Sequence, residues 1–149
     1  MEKAATALNE QKALSGRERA PRIVMVNDER GILEMFKTVI QSWLKDVTVL
    51  MFDNGVDALE ELSRTDPDLL ITDDRMARRD GLELCQRLLD KSVTYPIIMT
   101  SSYSPTGQWS REFARGGLNV SLLTLPCTLT ELLRHVGTSF KTETQAGPT

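Results

Sequence analysis

Hydrophobic positions along this chain fall into two kinds of stretch that alternate. Short, nearly continuous apolar runs occur at 22–27 (RIVMVN), 46–52 (DVTVLMF), 68–73 (DLLITD), 96–101 (PIIMTS) and 118–125 (LNVSLLTL). Runs of this length, rich in Val, Ile and Leu, predict strands buried on both faces. Between them the apolar residues return at helical spacing. Ile32, Leu33, Phe36, Val39, Ile40 and Trp43 share one face of a helix at 30–44, and Ala58, Leu59 and Leu62 one face at 56–64. Asp80-Gly81 opens a third helix through Leu84, Cys85, Leu88 and Leu89. A weaker helix at 106–115 ends at Gly116-Gly117, and a last one runs from 128 to about 140 with Leu129, Leu132, Leu133 and Val136 facing in. Five strand–helix pairs with short connections predict an α/β fold, a doubly wound parallel sheet with helices on both faces. The expected organisation is a polar leader at 1–21, partly helical or disordered, a folded domain at 22–140, and a disordered tail at 141–149.

Composition narrows what such a unit does. With 149 residues there is room for one domain. The 18 Lys+Arg against 21 Asp+Glu, net −3, offer no basic field for nucleic acid or an anionic membrane. Cys85 and Cys127 are the only two cysteines and make neither a disulfide scaffold nor a zinc set. The single histidine, His135, lies beside an apolar helix face and reads as structural, and its isolation excludes most Ser-His and Cys-His chemistry. No apolar core of a signal peptide is visible at the N-terminus, and the strongest apolar run, 47–52, is far below the roughly 18 residues of a membrane span. The cytoplasm is the expected location.

In parallel sheets the chemistry sits at the C-terminal ends of the strands. Here those ends carry Asn27-Asp28-Glu29, Asp73-Asp74, Ser101-Ser102 and Leu125-Pro126. Carboxylates gathered on one rim repel one another, and a cation offsets that cost. Hard oxygen donors with one or two carboxylates suit Mg²⁺. The plainer alternative is that strand-end aspartates cap the following helices, and Asp28 does precede one.

Taken together, these residues resemble the receiver domain of two-component response regulators across nearly all of 22–140. The sharpest piece is DLLITDDRMARRDGLEL at 68–84. In that family a phosphoaccepting Asp ends the third strand, with Asp-Gly seven and eight residues later; here these are Asp73, Asp80 and Gly81, with Met76 in its usual place. IVMVNDE, FDNGVDALEEL and PIIMTSS are similar to the first strand, the second βα unit and the fourth strand. The resemblance implies a flavodoxin-like (βα)₅ fold with strand order 2-1-3-4-5. It implies Asp73 as phosphoacceptor, Ser101 as the hydroxyl contacting the phosphate, and Mg²⁺ held by Asp28, Asp73 and the backbone carbonyl of Arg75. Implied partners are a histidine kinase or phosphotransfer protein and a downstream protein docking on the fourth-helix/fifth-strand face. Turnover of an external substrate is not expected.

Four departures from the family pattern stand out. Asn27 replaces the first acidic residue, so it joins a metal site through a water at most and brings no charge. Leu125 occupies the place of the phosphate-gripping lysine, and no lysine lies between Lys91 and Lys141. Leu122 holds the aromatic switch position. Ala77 replaces a proline, followed by Arg78-Arg79, which either partly neutralise the rim or form a solvated loop. Trp109, on the weak fourth helix, is either a partner contact or core, and with Leu122 it is the candidate docking surface. Two readings follow. One is a single-domain receiver in a phosphorelay, phosphorylated on Asp73 with weakened Mg²⁺-dependent chemistry. The other is an interaction module of pseudo-receiver type that works without phosphorylation.

Overall fold

The structure, a computed structural model, describes residues 20–76, 80–102 and 106–146. Five parallel strands, β1 (Arg22–Val26), β2 (Thr48–Phe52), β3 (Leu69–Asp73), β4 (Ile97–Ser101) and β5 (Val120–Thr124), form one sheet in the order β2-β1-β3-β4-β5. Helices α1 (Arg30–Trp43), α2 (Gly55–Arg64), α3 (Gly81–Asp90), α4 (Thr106–Arg115) and α5 (Leu129–Ala146) cover it. This is the flavodoxin-like order that the resemblance implies.

Alternation along each strand divides the apolar residues between two cores. Ile23, Met25, Ile71, Ile98 and Leu123 pack with Leu33, Phe36 and Ile40 of α1 and with Leu132, Val136 and Phe140 of α5. Val24, Val26, Leu70, Ile97 and Met99 face the other way, onto Ala58 and Leu62 of α2, Leu84, Cys85 and Leu88 of α3, and Phe113 of α4. The central strands β1, β3 and β4 are therefore almost wholly buried, and the edge strands β2 and β5 only in part. Chain direction across the sheet reverses between β1 and β3, so the loops leaving them turn to opposite faces and open a crevice at their C-terminal ends. At the other end, the Arg22 N–H donates to Asp68 Oδ2 at 2.7 Å, and the Arg22 guanidinium pairs with Glu61 of α2.

Element boundaries move from the predicted ones where the backbone has a reason to turn. Asp46 has a φ of 64°, so β2 starts two residues later than its apolar run, at Thr48. Gly117, at φ 104°, ends α4 with the Leu118 N–H bonded to the Phe113 carbonyl; Leu118 thus closes a helix and β5 begins at Val120. The last helix continues to Ala146, past the expected end near 140, so part of the predicted tail is helical. The leader at 1–19 and the last three residues lie outside the described residues. No helix among the described residues is long and apolar enough to cross a membrane.

Leu70, fully enclosed in β3, and Leu129, half-exposed on α5, test this layering. Leu70→Ala is expected to lower the unfolding free energy by about 3 kcal/mol in urea titrations. Leu129→Ala should change it by less than about 0.5 kcal/mol.

Candidate functional site

Asp73 is the last residue of β3, at the C-terminal rim of the most central strand and only partly exposed. Its register partner in β4 is Thr100. Because paired residues of a parallel ladder point to the same face, the buried Thr100 hydroxyl lies beside the carboxylate and donates to Asp73 Oδ1 at 3.1 Å. The next pair points to the opposite face: Ser101 Oγ donates to Oδ2 of the buried Asp74 at 2.7 Å. Ser101, expected beside Asp73, is thus occupied by Asp74, and the hydroxyl touching Asp73 is that of Thr100. Strand alternation is the signal that finds it, since Thr100, like Ile98, belongs to the α1/α5 side.

Glycine is required where α3 meets this rim. The Gly81 N–H donates to the Asp74 carbonyl at 3.0 Å, and a Cβ at Gly81 would lie 1.9 Å from the Asp73 carbonyl oxygen. Asp80 caps the helix, its Oδ1 accepting from the Glu83 N–H at 2.9 Å. The Asp-Gly pair therefore holds the β3–α3 corner against the Asp73 and Asp74 backbone.

After β1, Asn27 is buried and Asp28 exposed. Asn27 Oδ1 accepts from the Glu29 N–H at 2.9 Å, and its own N–H donates to the Phe52 carbonyl at 3.0 Å, so its amide carbonyl fastens the loop that starts α1. Asp28 lines a cleft of about 320 Å³ with Arg30, Leu33, Met51, Phe52, Asp53 and Asp57. Asp73 is pushed up to about 6. Burial is the main cause; the Thr100 hydrogen bond opposes it, and the charges of Asp74 and Asp28 add to it.

These features have counterparts among known proteins. The response regulator receiver domain family matches residues 23–136. The chain belongs to that family. Response regulator MprA of Mycobacterium leprae (strain TN) is 33% identical over 81 residues, 54% of this chain and 35% of that protein. Regulator of RpoS of Escherichia coli (strain K12) is 32% identical over 83 residues, 54% of this chain and 23% of that protein. The matched stretch thus spans a quarter to a third of the length of these relatives. The receiver domain of Francisella response regulator 1452 superposes with a TM-score of 0.71 at 23% identity, covering 83% of this chain and 98% of that one. A CheY-like receiver domain protein from Methanospirillum hungatei gives 0.74 at 18% identity, with 86% and 99% covered. At these identities the structural likeness is one of fold. Receivers are modules of two-component signalling and generally bind Mg²⁺ at their phosphorylation site.

The positions that the resemblance matches to the first acidic residue and to the lysine hold Asn27 and Leu125, both uncharged. Leu125 extends the β4–β5 pairing, its N–H donating to the Ser101 carbonyl at 2.7 Å, and its side chain packs on the α1/α5 core ahead of a cis bond to Pro126. It contributes no ammonium to the site. Leu122, paired with Met99, is half-buried, and Trp109 on α4 is 48% exposed. Arg75 follows Asp74 and is exposed; Ala77 and the two arginines after it lie outside the described residues. His135 Nδ1 lies 3.1 Å from the Glu131 carbonyl of its own helix, and burial pushes the Cys85 thiol up to about 12. The donors at the rim, the Asp28 and Asp73 carboxylates and the Arg75 carbonyl, are all hard oxygens, and Asp73 is charge-crowded as a cation would relieve. This fits Mg²⁺ with much of its shell left to water. Among the described residues, no cluster of three or more His, Cys, Asp or Glu forms a protein-only metal cage.

Gly81→Ala is expected to cost about 2 kcal/mol or more in denaturant unfolding, because the intruding atom meets backbone that cannot turn aside. Asp73→Asn is expected to stabilise the fold at pH 7.5–8 by about 1 kcal/mol, allowing for solvent screening of a partly exposed group. The sign follows from linkage. The folded carboxyl titrates near 6 and its ordinary value is 3.8, so ionisation above 6 works against the fold. As pH falls through 6 towards 4 that penalty disappears, and the melting temperatures of the two proteins should converge.

Proposed function

We propose that this receiver accepts a phosphoryl group on Asp73 and passes the signal through protein contacts, with Mg²⁺ affinity lower than a full acidic pair would give. The supporting observation is the placement of Asp73, a partly buried carboxylate at the strand-order reversal, crowded by Asp74 and Asp28 and anchored from below by Thr100. Its carboxylate attacks phosphorus, and the bond from phosphorus to the donor group breaks with its electron pair leaving on the donor. Catalysis of this kind is positioning and charge neutralisation rather than acid–base chemistry. Asp28, Asp73 and the Arg75 carbonyl are the residues that would hold Mg²⁺, Asn27 contributing through a bound water at most. When bound, Mg²⁺ supplies positive charge against the phosphoryl oxygens. The donor is a histidine kinase or phosphotransfer protein, consistent with a cytoplasmic location, and the output partner is a protein that meets α4 and β5 where Trp109 and Leu122 stand. With net −3 the chain carries no electrostatic footprint for nucleic acid.

Leu125 favours a second reading. A core-packed leucine in place of the ammonium, with Asn27 committed to its loop, suits a pseudo-receiver that binds its partner without phosphate. Incubation with acetyl phosphate and Mg²⁺, followed by intact mass, separates the two. The expected outcome is the gain of one phosphoryl group by the wild type and none by Asp73→Ala. No gain, or an equal gain in the variant, contradicts phosphorylation at Asp73 and leaves the pseudo-receiver.

A further inference from the structure

Resting on that reading of Asp73, we propose that Thr100 sets how long the phosphoryl group stays there. The hydroxyl residue that the family pattern supplies, Ser101, is on the other face of the sheet and bonded to Asp74 at 2.7 Å. Thr100 is 1% exposed, and its hydroxyl donates to Asp73 Oδ1 at 3.1 Å. It also lines, with Asn27, Ile71 and Phe36, a void of about 10 Å³ beneath the rim, room for no more than one water. The hydroxyl is therefore held under the carboxylate with little space to swing elsewhere. Oδ1 being occupied, Oδ2 is the oxygen with no side-chain hydrogen bond among the described residues, and it is the one that forms the bond to phosphorus.

Hydrolysis runs the relation in reverse. A water oxygen bonds to phosphorus, the bond from phosphorus to Asp73 Oδ2 breaks, and its electron pair returns to the carboxylate while both of the water's protons leave with the phosphate as dihydrogen phosphate. Charge thus builds on the Asp73 carboxyl group as the bond breaks. A hydrogen bond to a charged acceptor is stronger than one to the neutral carbonyl of an acyl phosphate. The Thr100 bond to Oδ1 strengthens along this path, lowers the basicity of the leaving carboxylate and shortens the life of the phosphorylated state. Leu125 sharpens the effect, because no ammonium from β5 shares in stabilising the phosphate.

The full chain is loaded with acetyl phosphate and Mg²⁺, desalted, and its loss of phosphoryl mass followed. Thr100→Val, of the same shape but without the donor, is expected to lengthen the half-life about fivefold. Thr100→Ser, which keeps the hydroxyl and gives up the methyl, should return it to the wild-type value; a purely structural role predicts the opposite ranking. Equal half-lives in all three overturn the inference while leaving Asp73 as phosphoacceptor. A wild type that never loads overturns both. Should Thr100→Val fail to fold, Thr100→Ala against Thr100→Ser gives the same comparison: a longer half-life in the alanine variant alone supports the inference, and equal half-lives overturn it.

Discussion

Like charges held together in partial burial are the constraint on which this rim depends. Strands β1 and β3 are neighbours, so the residues that end them emerge side by side, and Asp28, Asp73 and Asp74 share one edge. Asp73 is desolvated by its place in the central strand, and two further carboxylates oppose its ionisation. Among the described residues, the Thr100 side chain and the adjoining backbone act in the other direction. Crowding of this kind costs stability, and on the proposed function a cation or a phosphoryl group with its counter-ion would relieve it. The rest of the corner is built to keep that arrangement in place. Gly81 lets α3 press against the Asp73 and Asp74 backbone, Asp80 caps that helix, and Asn27 ties down the loop that carries Asp28.

Against that background the replacements at Asn27 and Leu125 belong together. Asn27 removes one negative charge from the rim, and Leu125 leaves out the positive charge that answers it in other receivers. The two replacements are thus opposite in the sign of the charge they leave out. Leu125 also joins the α1/α5 core, which ties the end of β5 to the fold rather than to the site.

Much of the architecture was legible from spacing. The apolar runs located all five strands, and the helical faces of α1, α2 and α3 pack as their periodicity implied; on α5 Leu132, Leu133 and Val136 do so, but Leu129, expected to face in, sits at the helix start and is 52% exposed. The ends were less legible, because Asp46 and Gly117 adopt left-handed backbone that apolar content does not register. At the site, Asp73 and its Asp-Gly partner stood out by spacing. The Thr100–Ser101 choice did not, since adjacent hydroxyls are equivalent in a motif and distinguished only by which face each presents. Asp74 was equally opaque: a second aspartate after the first looks like more rim, and it turned inward to bond Ser101 instead.

The central claim, that Asp73 is a crowded carboxylate poised for a cation, is tested most directly by following its side-chain carboxyl carbon by NMR through a pH titration, with and without Mg²⁺. A midpoint near 6 that moves down when Mg²⁺ is added is the expected result. A midpoint near the ordinary 3.8, indifferent to Mg²⁺, would contradict it.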